Sequence, residues 1–148
     1  MPDDLVVELT RKINAPPARV WDVVSSVDGL REWLGPKTYE PRESGRILFD
    51  VLHNDQRWVM FGNITAWQPS ERLAFTWQEF DINKLACWPH PTVVSIDLTA
   101  DGDGTMVSLS HRGFDKLPDA EEQYKGYRQG WESLNDLEKL ATMCEGSK

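Results

Sequence analysis

The chain has 148 residues, 40% of them hydrophobic, with 24 Asp and Glu against 16 Lys and Arg for a formal net charge of -8. A length of this order fits one domain that removes about two-thirds of its unfolded surface from water, so residues 1–148 are read as one domain with a sizeable core. Scattered basic residues give no field for phosphate backbones, two cysteines (Cys87 and Cys144) make no disulfide framework, and no apolar run resembles a signal peptide or membrane span; nucleic acid and stable membrane insertion are excluded and a cytoplasmic location is expected.

Leu5, Val7, Leu9 and Arg11 alternate with Val6, Glu8, Thr10 and Lys12 up to Ile13, which predicts a first strand with one buried face. Asn14 before Ala15-Pro16 predicts a helix start, and Val20, Trp21, Val24 and Val27 follow at helical spacing until Asp28-Gly29. A second short helix, Asp28 to Leu34, ends at Gly35-Pro36. Strands then dominate. Ile47, Phe49 and Val51 alternate after Gly45, Asn54-Asp55 predicts a turn, and Arg57 to Trp67 completes a hairpin. After a turn at Gln68 to Glu71, Leu73, Phe75, Trp77 and Glu79 mark the buried side of the next strand. Val94, Ile96 and Leu98, a turn at Asp101 to Gly104, and Thr105 to Arg112 predict another hairpin. Between these strands, Phe80 to Pro91 carries Pro89 and Pro91, which forbid a central strand; it is read as an exposed loop with Trp88 available as a lid or dimer contact.

The longest periodic stretch, Asp119 to Met143, predicts a single helix about 37 Å long. Gln123, Gly126, Tyr127, Gly130, Trp131, Leu134, Leu137 and Ala141 share one arc of it, and Glu122, Lys125, Arg128, Glu132, Asp136 and Lys139 lie largely opposite. Gly126 and Gly130 each cost about 1 kcal/mol relative to alanine inside a helix. Two reasons would justify them: close approach of a strand, or room beneath the helix for a ligand. A sheet with one wet face needs a cover on the other, and this helix is the only element long enough. The fold is therefore α+β, a curved antiparallel sheet wrapped around a C-terminal helix, with an internal cavity between them.

The segments INAPPARVWDVVSS, LREWLGP, GRI, LAFTW, TVVSIDL, GTMVSLSHRGF and YKGYRQGWESLNDLEKL together resemble the bacterial relatives of the activator of the heat-shock protein 90 ATPase, within the START-like helix-grip (SRPBCC) superfamily. The resemblance covers nearly the whole chain and implies a β-α-α-β(6)-α helix-grip fold with a cavity between sheet and terminal helix. The wider superfamily holds lipid and hormone carriers, polyketide aromatase/cyclases and the co-chaperone. Only the second domain of the eukaryotic co-chaperone has its counterpart in these 148 residues, so stimulation of the chaperone ATPase is not the expected activity.

No Gly-x-Ser-x-Gly, phosphate-binding loop or His-Glu-x-x-His motif is present, and Cys87-x-x-His90 supplies only two of the roughly four ligands of a closed zinc site. No catalytic residue, metal or cofactor is assigned. His111, beside Val107 and Leu109, is read as a satisfied histidine at the rim of the core, with ligand contact as the alternative. Glu79 could act as an acid or base at a cavity mouth but is expected to have left the core; Arg57 is read as a solvated edge charge rather than a carboxylate anchor. The leading expectation is a binder of a small hydrophobic or aromatic molecule. Its cavity walls are Trp58, Met60, Phe75, Trp77, Val107, Leu109, His111, Tyr127, Trp131 and Leu134, with His111 and Tyr127 as polar handles. The alternatives are a cyclase- or dehydratase-like enzyme using the same cavity, and a chaperone-associated interaction module. A homodimer is compatible with the sequence, and a chaperone partner is the least favoured association.

Overall fold

A computed structural model describes residues 5–53 and 55–146. The turn predicted at Asn54-Asp55 falls partly outside them; Asp55 adopts φ 63°, as a tight connection requires. Strand β1 (Val7–Ile13) leads to helices α1 (Pro17–Ser25) and α2 (Val27–Trp33). There follow β2 (Thr38–Tyr39), β3 (Arg46–His53), β4 (Gln56–Gln68), β5 (Arg72–Asp81), β6 (Ala86–Cys87), β7 (Thr92–Asp101) and β8 (Gly104–Arg112). A 3-10 turn at Phe114–Lys116 introduces α3 (Ala120–Leu134) and α4 (Asp136–Glu145). The strands form one eight-stranded sheet in the order β1-β8-β7-β5-β4-β3-β2, with β6 added to β5. Every pairing is antiparallel.

Alternation settles which side chains face inward. Leu73, Phe75, Trp77 and Glu79 of β5, Thr92, Val94, Ile96 and Leu98 of β7, and Thr105, Val107, Leu109 and His111 of β8 are all buried. The sheet curves, helped by a register shift in the β4–β5 ladder between Ile64 and Ala66. At its other end α1 sets Val20, Trp21, Val23 and Val24 into the core, and Trp33 of α2 is fully enclosed.

Four expectations are corrected. The terminal helix is two helices, because Asn135 takes the left-handed conformation (φ 57°, ψ 41°) that asparagine tolerates at little cost. The break resets the helical phase, so Leu134, expected on the buried arc, is 57% exposed, while Leu137, Leu140 and Ala141 of α4 are buried. Asn14 caps nothing with its side chain; α1 starts on Pro16 and Pro17, and Ser26 caps α2 by accepting from the Gly29 N–H. Finally, the segment read as an exposed loop contains β6, and Trp88 is buried at 9% exposure, held by its backbone N–H donating to the Glu79 carbonyl.

The two terminal helices are seated very differently. α4 buries five residues against β1, α1 and α2, whereas α3 fully buries only Trp131. No strand comes close to the α3 glycines: a Cβ at Gly126 or Gly130 would meet nothing within 4 Å. Both lie in ordinary helical conformation, so Gly126→Ala and Gly130→Ala are each expected to raise stability by about 0.5–1 kcal/mol, read as a higher urea midpoint at unchanged slope. A fall in the midpoint would show that the missing side chains serve packing after all.

Candidate functional site

Beneath α3, β5 and β8 present Trp77, Glu79 and His111 at inward positions, and α3 lowers Tyr127 and Trp131, one helical turn apart, onto them. The polar atoms form two chains whose directions are fixed by chemistry. An indole N–H can only donate. Trp131 Nε1 therefore donates to His111 Nδ1 at 3.1 Å, which leaves the proton of a neutral imidazole on Nε2. That nitrogen lies 2.7 Å from Thr92 Oγ1, whose own hydroxyl donates to the Trp77 carbonyl at 2.8 Å. In the second chain Trp77 Nε1 donates to the Tyr127 hydroxyl at 3.1 Å, and Tyr127 donates to Glu79 Oε1 at 2.6 Å. Trp77 belongs to both chains.

Rings enclose these groups. Trp77 lies 5.8 Å from Tyr127 and 5.9 Å from Trp131 between centroids, Trp88 lies 5.5 Å from Tyr127, and Phe114 lies 4.5 Å from His111. The region between sheet and α3 is thus occupied by aromatic side chains in mutual contact. Two concavities lie elsewhere, on the outer side of α1, α2 and α4. One, of about 320 Å³, is bordered by Leu134, Lys139 and Thr142; the other, of about 570 Å³, by Arg19, Asp22 and Ser26. They share Glu32 and Met143.

The surroundings set the titration of each group. His111 is wholly enclosed, and burial lowers its pKa to about 3, so it stays neutral with both nitrogens engaged. Burial raises the Glu79 carboxyl above its ordinary range; the Tyr127 hydrogen bond opposes this, and the charges of Asp81 and Asp119 add to it. Tyr127 is pushed far above an ordinary phenol by burial and by the adjacent Glu79 carboxylate. Contrary to expectation, Glu79 has not left the core: it is 9% exposed, because it continues the inward face of β5 and finds the Tyr127 hydroxyl there. His111 sits inside the core rather than at its rim, where Trp131 and Thr92 satisfy both ring nitrogens.

Of the ten wall residues read from the sequence, Trp77, His111, Tyr127 and Trp131 come together here. Phe75 lies 6.4 Å from Trp77, and Met60 pairs with Glu79 across β4 and β5. Val107 and Leu109 are in the deeper core, Trp58 is half-buried near the β3–β4 hairpin, and Leu134 faces outward. Arg57 is exposed and forks onto Asp50 at 2.8 and 2.7 Å, away from the rings. Thr92, Trp88 and Phe114 were missed. Thr92 and Trp88 sit beside prolines that mask strand periodicity, and Phe114 follows the left-handed Gly113. Among the described residues no three His, Cys, Asp or Glu side chains are grouped to hold a metal ion, and no helix is long and apolar enough to cross a membrane.

Solved structures share this architecture. The Mesorhizobium loti protein MLL2253 is 24% identical with a TM-score of 0.77, over 97% of this chain and 98% of its own. CalU16 from Micromonospora echinospora is 21% identical with a TM-score of 0.68, over 93% and 76%. The Aha1 dimer from Colwellia psychrerythraea is 17% identical with a TM-score of 0.66, over 95% and 96%. Comparison with curated proteins gives no match. Residues 14–145, which hold both short helices, the sheet beyond β1, all three tryptophans of the ring cluster and both terminal helices, match the family described as Activator of Hsp90 ATPase homolog 1-like protein, and the chain belongs to that family.

Proposed function

We propose that the protein binds a small apolar or aromatic molecule carrying one polar group, in the space between β5, β8 and α3, with Trp77, Tyr127 and Trp131 as walls and Glu79 and Tyr127 as polar contacts. The observation that carries this reading is a pair of hydrogen-bonded polar chains set among rings beneath a helix that seats only one residue deeply. A carboxyl, a phenol and an imidazole are a costly way to fill a core that leucine and phenylalanine would fill more cheaply. Space for the ligand comes from α3 lifting, with the left-handed Asn135 as one end of the moving segment and α4 staying in place.

The test is an NMR titration of the full chain with 1-naphthylmethanol, observing the indole N–H resonances. Those of Trp77 and Trp131 shift saturably if the site is here, while that of Trp33, bonded to the Val24 carbonyl on the far side of the core, does not. Shifts confined to tryptophans outside the cluster, or none at millimolar ligand, would end the reading.

An enzyme of cyclase or dehydratase type would use the same space, and the convergence of Glu79 and Tyr127 at 2.6 Å favours it as the second reading. Glu79 would carry the proton, because its carboxyl titrates closer to neutrality while His111 is locked in its neutral form. Turnover would then fall by about 100-fold or more in Glu79→Gln.

A further inference from the structure

We propose that the ligand of this site is an organic cation, an ammonium group on an apolar or aromatic body. The inference rests on the reading above and narrows its ligand class. Glu79 is the reason. Its carboxylate lies inside the ring cluster, and its hydrogen-bonded partner is the Tyr127 hydroxyl at 2.6 Å. Among the described residues no Lys, Arg or His comes within 4.0 Å of it, although the acidic side chains Glu40, Asp50, Asp97, Asp101, Glu132 and Glu138 all have such partners.

The charges that do reach Glu79 are those of Asp81 and Asp119, and both have its own sign. One hydrogen bond uses a fraction of a carboxylate's acceptor capacity; among the described residues no buried side-chain oxygen lacks a partner, so what remains open on Glu79 reaches solvent and can take both further donors and a positive charge. An ammonium supplies both, with up to three N–H donors on a compact charge.

The rings point the same way. Trp77 and Trp88 each stand edge to face with Tyr127, whose hydroxyl holds this carboxylate, and the faces of indole and phenol attract cations. A carboxylate set beside aromatic rings, with no cation of the protein's own upon it, is a site suited to an amine and hostile to an anion. A fatty acid or any other carboxylate ligand would meet Glu79, Asp81 and Asp119 with no cation to offset them. A neutral ligand would gain the rings but leave the charge of Glu79 as it is.

Isothermal titration calorimetry on the full chain at neutral pH, with three probes of matched shape, tests this: 1-naphthylmethylamine (cation), 1-naphthylmethanol (neutral) and 1-naphthoate (anion). The amine is expected to bind at least about tenfold tighter than the alcohol, and the naphthoate weakest. In Glu79→Gln the amine falls to the affinity of the alcohol. Should that variant not fold, the amine-to-alcohol ratio in the native protein decides alone. Equal affinities for amine and alcohol, or an amine preference that persists in folded Glu79→Gln, would overturn the cation and leave the aromatic site standing. Binding of none of the three would remove the site and the cation together.

Discussion

Gly62→Ala is expected to cost about 3 kcal/mol, the largest effect of any one-carbon change in the sheet. Gly62 lies on β4 where the β4–β5 ladder is interrupted between the Phe61–Gln78 and Ile64–Phe75 pairs. There the backbone of Thr76 comes so close that a Cβ on residue 62 would fall inside contact distance of the Thr76 carbonyl oxygen and carbon. The obstruction is backbone, so no rotamer change relieves it. The Thr76 hydroxyl accepts from the Asn63 N–H at 2.9 Å, fixing the approach from the next residue along. Alanine would push β4 off β5 beside Phe75 and Trp77, the strand that supplies the site. Urea denaturation measures the loss; a change under about 1 kcal/mol would mean that the two strands part without cost.

The second large effect concerns pH and His111. Its folded pKa is lowered from 6.5 to about 3 by burial, so between those values the unfolded chain binds a proton that the folded chain does not. Stability is therefore fully present above pH 6.5 and is lost as pH falls. Between pH 7 and pH 5 the loss attributable to this group is about 2 kcal/mol. Glu79 and Asp136 act with the opposite sign, since burial raises their carboxyl pKa and the folded state takes up their protons first. The measurement is accordingly a difference. Wild type should lose about 2 kcal/mol more than His111→Gln over the same interval. Equal losses would show that His111 accepts a proton in the folded protein, which the Trp131 N–H donating to Nδ1 is held to prevent.

Much of the sheet was legible in the chain. The inward faces of β5 and β8 follow from alternation at period two, and Tyr127 and Trp131 from spacing one turn apart; both are local geometries written into consecutive residues. The family resemblance read from seven segments agrees with the match over residues 14–145. The break at Asn135 was not read, although Leu-Asn-Asp holds its signals: asparagine tolerates the left-handed conformation, and aspartate suits the first turn of the helix that follows. Helical periodicity hid it, because residues on both sides continue apolar at nearly the right spacing. Trp88 was misplaced for a similar reason. Prolines around it forbid a central strand but say nothing of whether the segment folds back onto Phe114 and Tyr127.

The sequence by itself determined which side chains share a strand face or a helix face, since those depend on bond geometry repeated from one residue to the next. Tertiary structure alone decided that Glu79 stays inside, that His111 is neutral with its proton on Nε2, and that Trp77 joins two hydrogen-bonded chains. Each of those outcomes depends on a partner brought from afar, as Tyr127 is to Trp77 across 50 residues. Desolvation depends on everything packed around a group, and no stretch of neighbouring residues contains that.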